Sequence, residues 1–295
     1  MVGSNLIEHA EAKNHQIYAP TRKELNLLDY SRLLNTMEGI KPDIVIHAAG
    51  RVGGIQANIE DPAGFLTDNL KMGLNVVGVS ETLGIKKLLN LGSSCMYSRT
   101  VKNPIPEDSI LKGELEPTNE GYALAKIVTA RHCDYISRNN KDKNYKTVIP
   151  CNLYGRYDKY DVSTSHMIPA VIRKIYEAKL TGANIVKIWG DGTARREFMV
   201  ASDLADFIYF ALDRFSELPQ YLNVGIGRDY SIQEYYTEIA RVVGFGGSFE
   251  NDLSKPAGMQ QKLVDNSLLK NLGWESKMPL QKGLYQAFEF YKGTL

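Results

Sequence analysis

The 295-residue chain has an ordinary globular composition, with 43% hydrophobic and 23% charged residues, enough for one large or two modest domains. Its formal net charge of +1 argues against a nucleic-acid-binding surface and against binding to an acidic membrane. Its apolar runs are strand-length, far short of the roughly 20 residues that a bilayer requires, and its start lacks the pattern of a signal peptide.

The three cysteines have no spacing that suggests a disulfide framework or a metal site. Their number is odd, and neither a CxxC pair nor a His/Cys ligand pattern occurs. Such usage is typical of reduced thiols in an intracellular enzyme. We therefore expect a soluble, cytoplasmic protein with no metal, no nucleic-acid partner and no membrane partner.

The chain begins without the strand and glycine-rich loop that usually open a dinucleotide-binding unit. Met1-Val-Gly3-Ser is followed directly by a helical pattern from Asn5. Only the last glycine of such a fingerprint could be present, as Gly3, and chance composition explains a lone glycine equally well. We expect the first strand to be missing from the chain as given.

The first half of the chain alternates strand-like and helix-like segments at short intervals. This alternation predicts a parallel sheet covered by helices. Strands are predicted at residues 16–19, 43–49, 87–94 and 146–153. Helices are predicted at residues 30–38, 63–84 and 120–138.

The second half has fewer strand signals and several helices. Residues 166–180, 202–213 and 280–292 are amphipathic by spacing, and residues 185–189 read as a short strand. Ser231-Ile-Gln-Glu234 is a capping box that opens a helix closed by Gly244. The long polar loops at 99–118 and 155–164 are candidates for function.

These patterns predict an α/β fold: a doubly wound, Rossmann-like parallel sheet with a smaller C-terminal substrate-binding lobe. We expect a dinucleotide-binding domain in residues 1–155, to which residues 197–213 return. The substrate lobe would comprise residues 156–196 and 214–295.

The clearest chemical signal is Tyr122-Ala-Leu-Ala-Lys126, preceded by Ser93 at the end of a buried strand. Tyrosine and lysine at positions i and i+4 share one face of a helix. The ammonium group should then lower the pKa of the phenol from about 10 towards neutral, so that it can exchange a proton with an alcohol or ketone oxygen. The Ser93 hydroxyl would bind the same oxygen. Tyr-x-x-x-Lys alone is weak evidence, and the upstream serine makes it specific.

These residues belong to a longer set of motifs in which the chain resembles the GDP-fucose synthases, a group of extended short-chain dehydrogenase/reductases among the nucleotide-sugar epimerases. The resemblance covers essentially the whole chain in order. Its main segments are Leu91-Gly-Ser-Ser-Cys-Met-Tyr97, Leu115-Glu-Pro-Thr-Asn-Glu-Gly-Tyr-Ala-Leu-Ala-Lys126, Asn152-Leu-Tyr-Gly155, Ser165-His-Met-Ile-Pro-Ala170 and Trp189-Gly-Asp-Gly-Thr-Ala-Arg-Arg-Glu-Phe198.

The resemblance implies NADPH-dependent 3,5-epimerisation and 4-keto reduction of GDP-4-keto-6-deoxymannose. In that family a thiol at the position of Cys95 is the base, and a histidine at the position of His166 is the acid, in the two epimerisations. Ser93, Tyr122 and Lys126 would serve the reduction. Cys95 and His166 also have alternatives without a catalytic role. Cys95 could be an inert buried thiol, and His166 could face solvent or be satisfied locally at the start of a helix.

The resemblance also implies binding residues. For NADP these are Gly3, Arg22 beside the 2′-phosphate, the small Ala48 and Ala49 beside the adenosine, Lys126 at the ribose, and Asn152. Arg173, Trp189, Arg196 and Lys262 match positions near the GDP-sugar, where arginine suits phosphate recognition. Solvated surface charges are an open alternative for Arg22, Arg173 and Lys262, and a salt bridge for Arg196. Family members tend to form homodimers through helices like 63–84 and 120–138.

Two other functions stay open. One is reduction or epimerisation of a different GDP-keto-sugar, such as a colitose or heptose precursor. The Ser93-Ser-Cys95 triplet favours the fucose reaction over a plain reductase, because simple reduction has no need of the thiol. The other is a truncated, non-catalytic paralogue, which the short N-terminus alone supports.

Overall fold

The computed structural model describes residues 1–161, 164–255 and 258–295. Its α-helices, in chain order, are α1 Val2–Glu8, α2 Tyr30–Ile40, α3 Ile55–Glu60, α4 Pro62–Thr82, α5 Glu120–Asn139, α6 Met167–Thr181, α7 Ala201–Asp213, α8 Ile232–Val243, α9 Ser267–Asn271 and α10 Leu280–Lys292. Its strands are β1 Ile44–His47, β2 Lys87–Leu91, β3 Asn144–Pro150, β4 Asn152–Tyr154, β5 Ile185–Trp189, β6 Arg195–Arg196, β7 Phe198–Val200, β8 Tyr221–Val224, β9 Tyr230–Ser231, β10 Ser248–Asp252 and β11 Gln261–Lys262.

A four-stranded parallel sheet in the order β1-β2-β3-β8 forms the centre of the molecule. Leu88 and Leu89 point to opposite faces of β2, and both are fully buried. Continuous burial of this kind is expected of a parallel strand covered by helices on both faces. Asn90, a polar residue in the same strand, donates from Nδ2 to Thr147 Oγ1 on β3 at 3.2 Å, while its Oδ1 is buried without a hydrogen-bond partner.

Helices α4 and α5 pack closely against each other beside this sheet. At Gly73 of α4 a side chain would collide with Thr129 of α5, so the glycine allows the two backbones to approach. The exposed faces of the pair carry Leu74, Val128 and Tyr135, which are 37%, 42% and 55% exposed.

A second apolar cluster lies in the C-terminal lobe between α6, α8, α10 and the β5–β10 pair. Helix α8 begins as the sequence predicts, with Ser231 Oγ accepting from Glu234 N and Glu234 Oε2 accepting from Ser231 N. It ends at Gly244, whose φ of +71° lies in the left-handed region that glycine adopts freely.

The predicted strand at 16–19 is wrong. These residues have no strand structure, and Ile17 and Tyr18 are 42% and 56% exposed. A strand exists only where its backbone pairs with a neighbour, and no described strand runs beside them. The predicted strand at 146–153 is also divided in two, because Cys151 separates β3 from β4, and β4 pairs with β7 in a separate small sheet.

The predicted helices agree with the structure to within about two residues at each end. Among the described residues, no helix is both long enough and apolar enough to span a bilayer. In the loop predicted at 155–164, residues 162 and 163 lie outside the described part.

Candidate active site

A cavity of about 1570 Å³ opens at the carboxyl ends of the central strands and extends towards the C-terminal lobe. Ligands of open α/β sheets bind at this edge. The cavity wall includes all of the site residues predicted from the sequence: Gly3, Arg22, Ala48, Ala49, Ser93, Cys95, Tyr122, Lys126, Asn152, His166, Arg173, Trp189, Arg196 and Lys262.

Ser93, Tyr122 and Lys126 form one connected group. Ser93 lies two residues beyond the end of β2, and its side chain is close enough to the Tyr122 hydroxyl to lower the pKa of that phenol. Lys126, one turn further along α5, donates from Nζ to the carbonyl oxygen of Leu91 at 2.8 Å, and the same nitrogen lies 5.8 Å from the centroid of the Tyr122 ring. The helix is therefore tied to the strand that carries the serine.

The expected lowering of the Tyr122 pKa is wrong for the protein without ligands. Burial, with the nearby Cys95 adding to it, raises the pKa of Tyr122 well above its usual value, and the Ser93 hydrogen bond opposes the rise only in part. Burial also lowers the pKa of Lys126 to about 8, against the opposing effect of Cys95. Desolvation thus acts on both groups and favours their neutral forms.

Cys95 lies in the single 3₁₀ turn Ser94–Met96 that follows Ser93. Its backbone N–H donates to Ser93 Oγ at 3.3 Å, and its Sγ accepts from Asn119 Nδ2 at 3.1 Å. Sγ is also close enough to Lys126 and Arg196 for electrostatic interaction with both. Two cations and one amide N–H donor therefore lie near the sulfur. The other two thiols, Cys133 and Cys151, are buried in the core.

His166 precedes α6 as its N-cap residue and lines the same cavity. Burial lowers the pKa of His166, while the neighbouring Asp158 opposes this shift. Burial in turn raises the pKa of Asp158, whose Oδ2 is buried without a hydrogen-bond partner. The sequence analysis missed Asp158, since a single aspartate in a polar loop carries no distinctive signal.

Ala48 and Ala49, two of the residues predicted to hold a dinucleotide, directly follow β1. The turn after β1 is tightly packed: a Cβ on Gly50 would lie 3.1 Å from Asn69 Oδ1, and Asn69 holds Arg51 through both backbone atoms at 2.9 and 3.0 Å. Such a turn suits close approach of a ligand to Ala48 and Ala49. His47, at the end of β1, is buried, and desolvation with nearby Lys126 lowers its pKa to about 3.

The remaining cofactor candidates differ in how they are engaged. Arg22 is exposed on the cavity wall, with no ion pair among the described residues. Gly3 lies within α1, and a side chain there would meet open space, so no close contact requires a glycine. Asn152 donates from Nδ2 to the Glu197 carbonyl oxygen at 2.9 Å. The described residues thus fit the nicotinamide and adenosine ends of a dinucleotide better than its pyrophosphate.

The C-terminal lobe contributes the cationic wall of the cavity. Arg196 and Lys262 are register partners on β6 and β11. Lys262 is 7% exposed, and burial lowers the pKa of Arg196, with Glu116 and Cys95 opposing the shift. Arg173 is already engaged, with Glu177 at 2.6 Å and the Tyr160 carbonyl at 3.0 Å. The 47%-exposed Trp189 has ammonium groups from Lys174 and Lys255 within 6 Å of its ring.

Glu197 is a second residue that the sequence analysis missed. Its buried carboxylate accepts backbone N–H groups from Gly227 at 2.8 Å and Val264 at 3.0 Å. It thereby joins the segment that carries Arg196 to the loop after β8 and to the segment that follows Lys262. Burial raises its pKa to about 7, although these hydrogen bonds oppose the rise.

Comparison with known proteins gives a family and close relatives. Residues 1–227 match the profile of the NAD dependent epimerase/dehydratase family. A GDP-L-colitose synthase of Yersinia pseudotuberculosis is 51% identical over 291 residues, covering 99% of this chain and 94% of that protein. A GDP-L-fucose synthase of Azorhizobium caulinodans is 47% identical over 291 residues, covering 99% and 93%.

Among solved structures, a Campylobacter jejuni GDP-mannoheptose C4 reductase with NADP bound superposes with a TM-score of 0.88. It is 29% identical, and the match covers 99% of this chain and 95% of that chain. The predicted Rossmann-like fold is therefore confirmed.

Proposed function

The chain belongs to the NAD dependent epimerase/dehydratase family, and from that premise we propose that its cavity binds NADPH and a GDP-linked 4-keto-6-deoxy sugar. The protein then inverts the configuration of a carbon atom next to the ketone and afterwards reduces the ketone. At the level of reaction class it is a GDP-sugar epimerase/reductase. The observation that carries the finer proposal is the sharing of one cavity by Cys95 and His166 with the Ser93, Tyr122 and Lys126 group.

Epimerisation requires a base and an acid on opposite sides of the carbon. The Cys95 thiolate removes the proton next to the ketone, leaving the electron pair delocalised onto the ketone oxygen. The hydroxyls of Ser93 and Tyr122 stabilise that oxygen by donating hydrogen bonds. The same carbon then takes a proton from His166 on the other face. One C–H bond is broken and one is formed, so the inversion causes no net change in oxidation state.

Reduction uses the same oxygen site. NADPH supplies the hydride to the ketone carbon when it is bound. Tyr122 donates its proton to the oxygen as the alcohol forms, and the Lys126 ammonium favours the resulting phenolate. The raised pKa of the free Tyr122 keeps the phenol protonated and ready to donate.

We propose that NADPH is held by Lys126 at its ribose, by Ala48 and Ala49 beside the adenosine, and by Arg22 at the 2′-phosphate, with Gly3 and Asn152 at the edges of the site. The donor set supports NADP over NAD, because a cation pairs with a 2′-phosphate whereas NAD sites place a carboxylate there. The relative with bound NADP supports the same choice. Arg173, Trp189, Arg196 and Lys262 would bind the GDP-sugar.

Two sugars are candidates. GDP-4-keto-6-deoxymannose, inverted at C3 and C5 to give GDP-fucose, is supported by the motifs shared with the GDP-fucose synthases and by the 47% identical relative. The corresponding precursor of GDP-colitose, which lacks the C3 hydroxyl, is supported by the 51% identical relative. Both need a base at the position of Cys95, since both are inverted at C5.

Incubation of the protein with NADPH and each sugar in D₂O separates these candidates. Reduced-cofactor absorbance reports reduction, and NMR reports deuterium at C3 and C5 and the configuration of the product. A higher kcat/KM for one sugar, with inverted C5, identifies the substrate. Reduction of a GDP-linked 4-keto-heptose without exchange would instead indicate a plain reductase. No binding of NADPH would overturn the enzymatic proposal in favour of a non-catalytic paralogue.

We further propose a homodimer that pairs the α4 and α5 faces of two copies. The exposed apolar side chains of Leu74, Val128 and Tyr135 lie on these two helices. Exposed apolar clusters on a helical face are typical of subunit contacts.

A further inference from the structure

We propose that Asn119 is a positioning residue that holds the Cys95 sulfur in place and stabilises its thiolate by a hydrogen bond from Nδ2. This inference rests on the proposed function, in which Cys95 is the base. The carrying observation is the 3.1 Å distance between Asn119 Nδ2 and Cys95 Sγ.

The position of Asn119 in the chain makes its side-chain orientation informative. It is the N-cap residue of α5, where an asparagine side chain ordinarily accepts a hydrogen bond from the first turn of the helix. Here the side chain makes no such cap. Among the described residues its amide has one hydrogen bond, to Sγ, and Oδ1 is buried without a partner. The amide therefore contacts the thiol instead of making the hydrogen bond that is usual for an N-cap side chain.

The backbone of Asn119 is held in place on both sides, which fixes the position from which its side chain reaches Cys95. Before it, the 3₁₀ turn Pro117–Asn119 is closed by a bond from Asn119 N to the Glu116 carbonyl at 3.1 Å. The Glu116 carboxylate also accepts from the Thr118 hydroxyl at 3.1 Å. After it, α5 begins and brings Tyr122 to the same cavity within one turn.

A donor at this distance favours the charged form of sulfur, because an N–H group stabilises a thiolate more than a neutral thiol. Other charged or titratable groups also face Sγ: Lys126 and Tyr122 from α5 and Arg196 from β6. The two cations act in the same direction as the amide. The hydrogen bond of Asn119 to the sulfur also fixes where the base points.

The reverse orientation of the amide makes the opposite prediction. If Oδ1 faced the sulfur, it would accept from the S–H group and favour the neutral thiol. Removing the amide would then make the cysteine more reactive at low pH rather than less. The sign of the change in Cys95 reactivity therefore decides between the two orientations.

The test is the rate of Cys95 alkylation by iodoacetamide as a function of pH, in the full chain without substrate and read by mass spectrometry of the peptide. Cys133 and Cys151 are buried, and burial raises the pKa of both thiols, so they contribute little background. Cys95→Ala gives the blank. Asn139→Leu makes the same substitution at the exposed far end of α5 and is the matched control.

We expect Asn119→Leu, which keeps the volume and removes the donor, to move the alkylation midpoint up by about one pH unit. This corresponds to roughly tenfold slower alkylation below the midpoint. Asn119→Asp, which replaces the donor by a carboxylate, should move it further in the same direction, and Asn139→Leu should leave it in place. An unchanged or lowered midpoint in folded Asn119→Leu would overturn the inference. If Asn119→Leu fails to fold by circular dichroism, Asn119→Ala carries the test alone, because it removes the donor without adding a charge, and an unchanged or lowered midpoint there overturns the inference too.

The pH dependence of C5 deuterium exchange extends the test to the reaction. In Asn119→Leu the acid limb of exchange should move with the alkylation midpoint, a change that loss of packing alone would not produce. Absence of exchange in the wild-type protein would count against the proposed function, while the alkylation result would still decide the role of Asn119. Suppose that the wild type shows exchange but that neither the alkylation profile nor the exchange profile shifts in the variant. That result would overturn the role of Asn119 and leave the proposed function intact.

Discussion

The ammonium nitrogen of Lys126 lies 2.8 Å from the carbonyl oxygen of Leu91, the last residue of β2. This bond joins the helix that carries Tyr122 to the strand that leads into Ser93 and Cys95. A buried ammonium needs such an acceptor, since its desolvation is costly without one. The same lysine therefore fixes the geometry of the site and supplies charge to it.

Tyr122→Phe should separate the two halves of the proposed reaction. Without the phenol no proton is available for the new alcohol, so we expect reduction to fall by about 10²-fold or more. Deuterium exchange next to the ketone should remain measurable, because Cys95 and His166 are intact. Both are followed in D₂O, by NADPH absorbance and by NMR. Loss of both activities in a folded variant would contradict this division of labour.

The lowered pKa of Lys126 predicts the pH dependence of reduction. Its ammonium group loses its proton as pH rises through about 8 in the free protein, and kcat/KM reports ionisations of the free enzyme. We therefore expect kcat/KM for reduction to fall above pH 8. Lys126→Arg should remove this limb, because a guanidinium stays charged, even if the absolute rate is lower. Persistence of the limb in that variant would assign it to another group.

Arg196→Ala should weaken binding of the GDP-sugar more than it slows chemistry. Arg196 faces the cavity and can pair with a phosphate, so its loss should raise KM by roughly tenfold to a hundredfold with a smaller change in kcat. Arg195→Ala is the matched control, since the neighbouring arginine pairs with Asp229 at 2.8 Å outside the described cavity lining. Equal effects of the two substitutions on KM would argue against a phosphate contact.

Glu197 should make stability depend on pH. Its pKa is about 7 in the folded protein and about 4.3 in an unfolded chain, so the folded state binds the proton more tightly. The resulting stabilisation is complete below pH 4.3 and is lost as pH rises to 7. It amounts to about 4 kcal/mol at most.

Glu197→Gln removes that ionisation. The difference in unfolding free energy between wild type and variant, measured by urea titration at several pH values, should favour the wild type most at pH 4 to 5 and shrink towards pH 8. A difference that does not vary with pH would mean that the carboxyl titrates as in the unfolded chain.

Val128→Asp should disrupt the proposed dimer. Burying an unpaired carboxylate in an apolar contact is costly, and Val128 is 42% exposed in the single chain. We expect a shift to monomer in sedimentation or light scattering. Leu180→Asp, also exposed but on α6, serves as the control, and an unchanged mass in Val128→Asp would exclude this face as the interface.

The helices and the central parallel strands could be predicted because local signals specify them: apolar periodicity, a capping box at Ser231 and a glycine at 244. The strand predicted at residues 16–19 failed because pairing is not local. The prediction of one continuous strand at residues 146–153 failed for the same reason. After Cys151 the chain leaves the main sheet, and β4 pairs with β7, whose residues lie some 45 positions away in the sequence.

The candidate site was predicted mainly through its motifs, which placed Ser93, Tyr122 and Lys126 in one group. The pKa of Tyr122 could not be predicted from the i and i+4 spacing, because burial raises it by more than the Ser93 hydroxyl lowers it, and no sequence pattern reports burial of a hydroxyl. Asn119 and Glu197 were inside recognised motifs, yet their roles depend on partners distant in sequence, Cys95 and Val264.

Asn119 is the N-cap residue of α5, and Tyr122 lies in the first turn of the same helix. The residue that contacts the proposed base therefore moves together with the proposed proton donor. Neither can be moved to suit a differently substituted sugar without disturbing the other. We therefore expect discrimination among related keto-sugars to depend on the cavity wall that carries Arg196 and Lys262. We expect swaps of that wall between relatives to exchange substrate preference and leave the reaction type untouched.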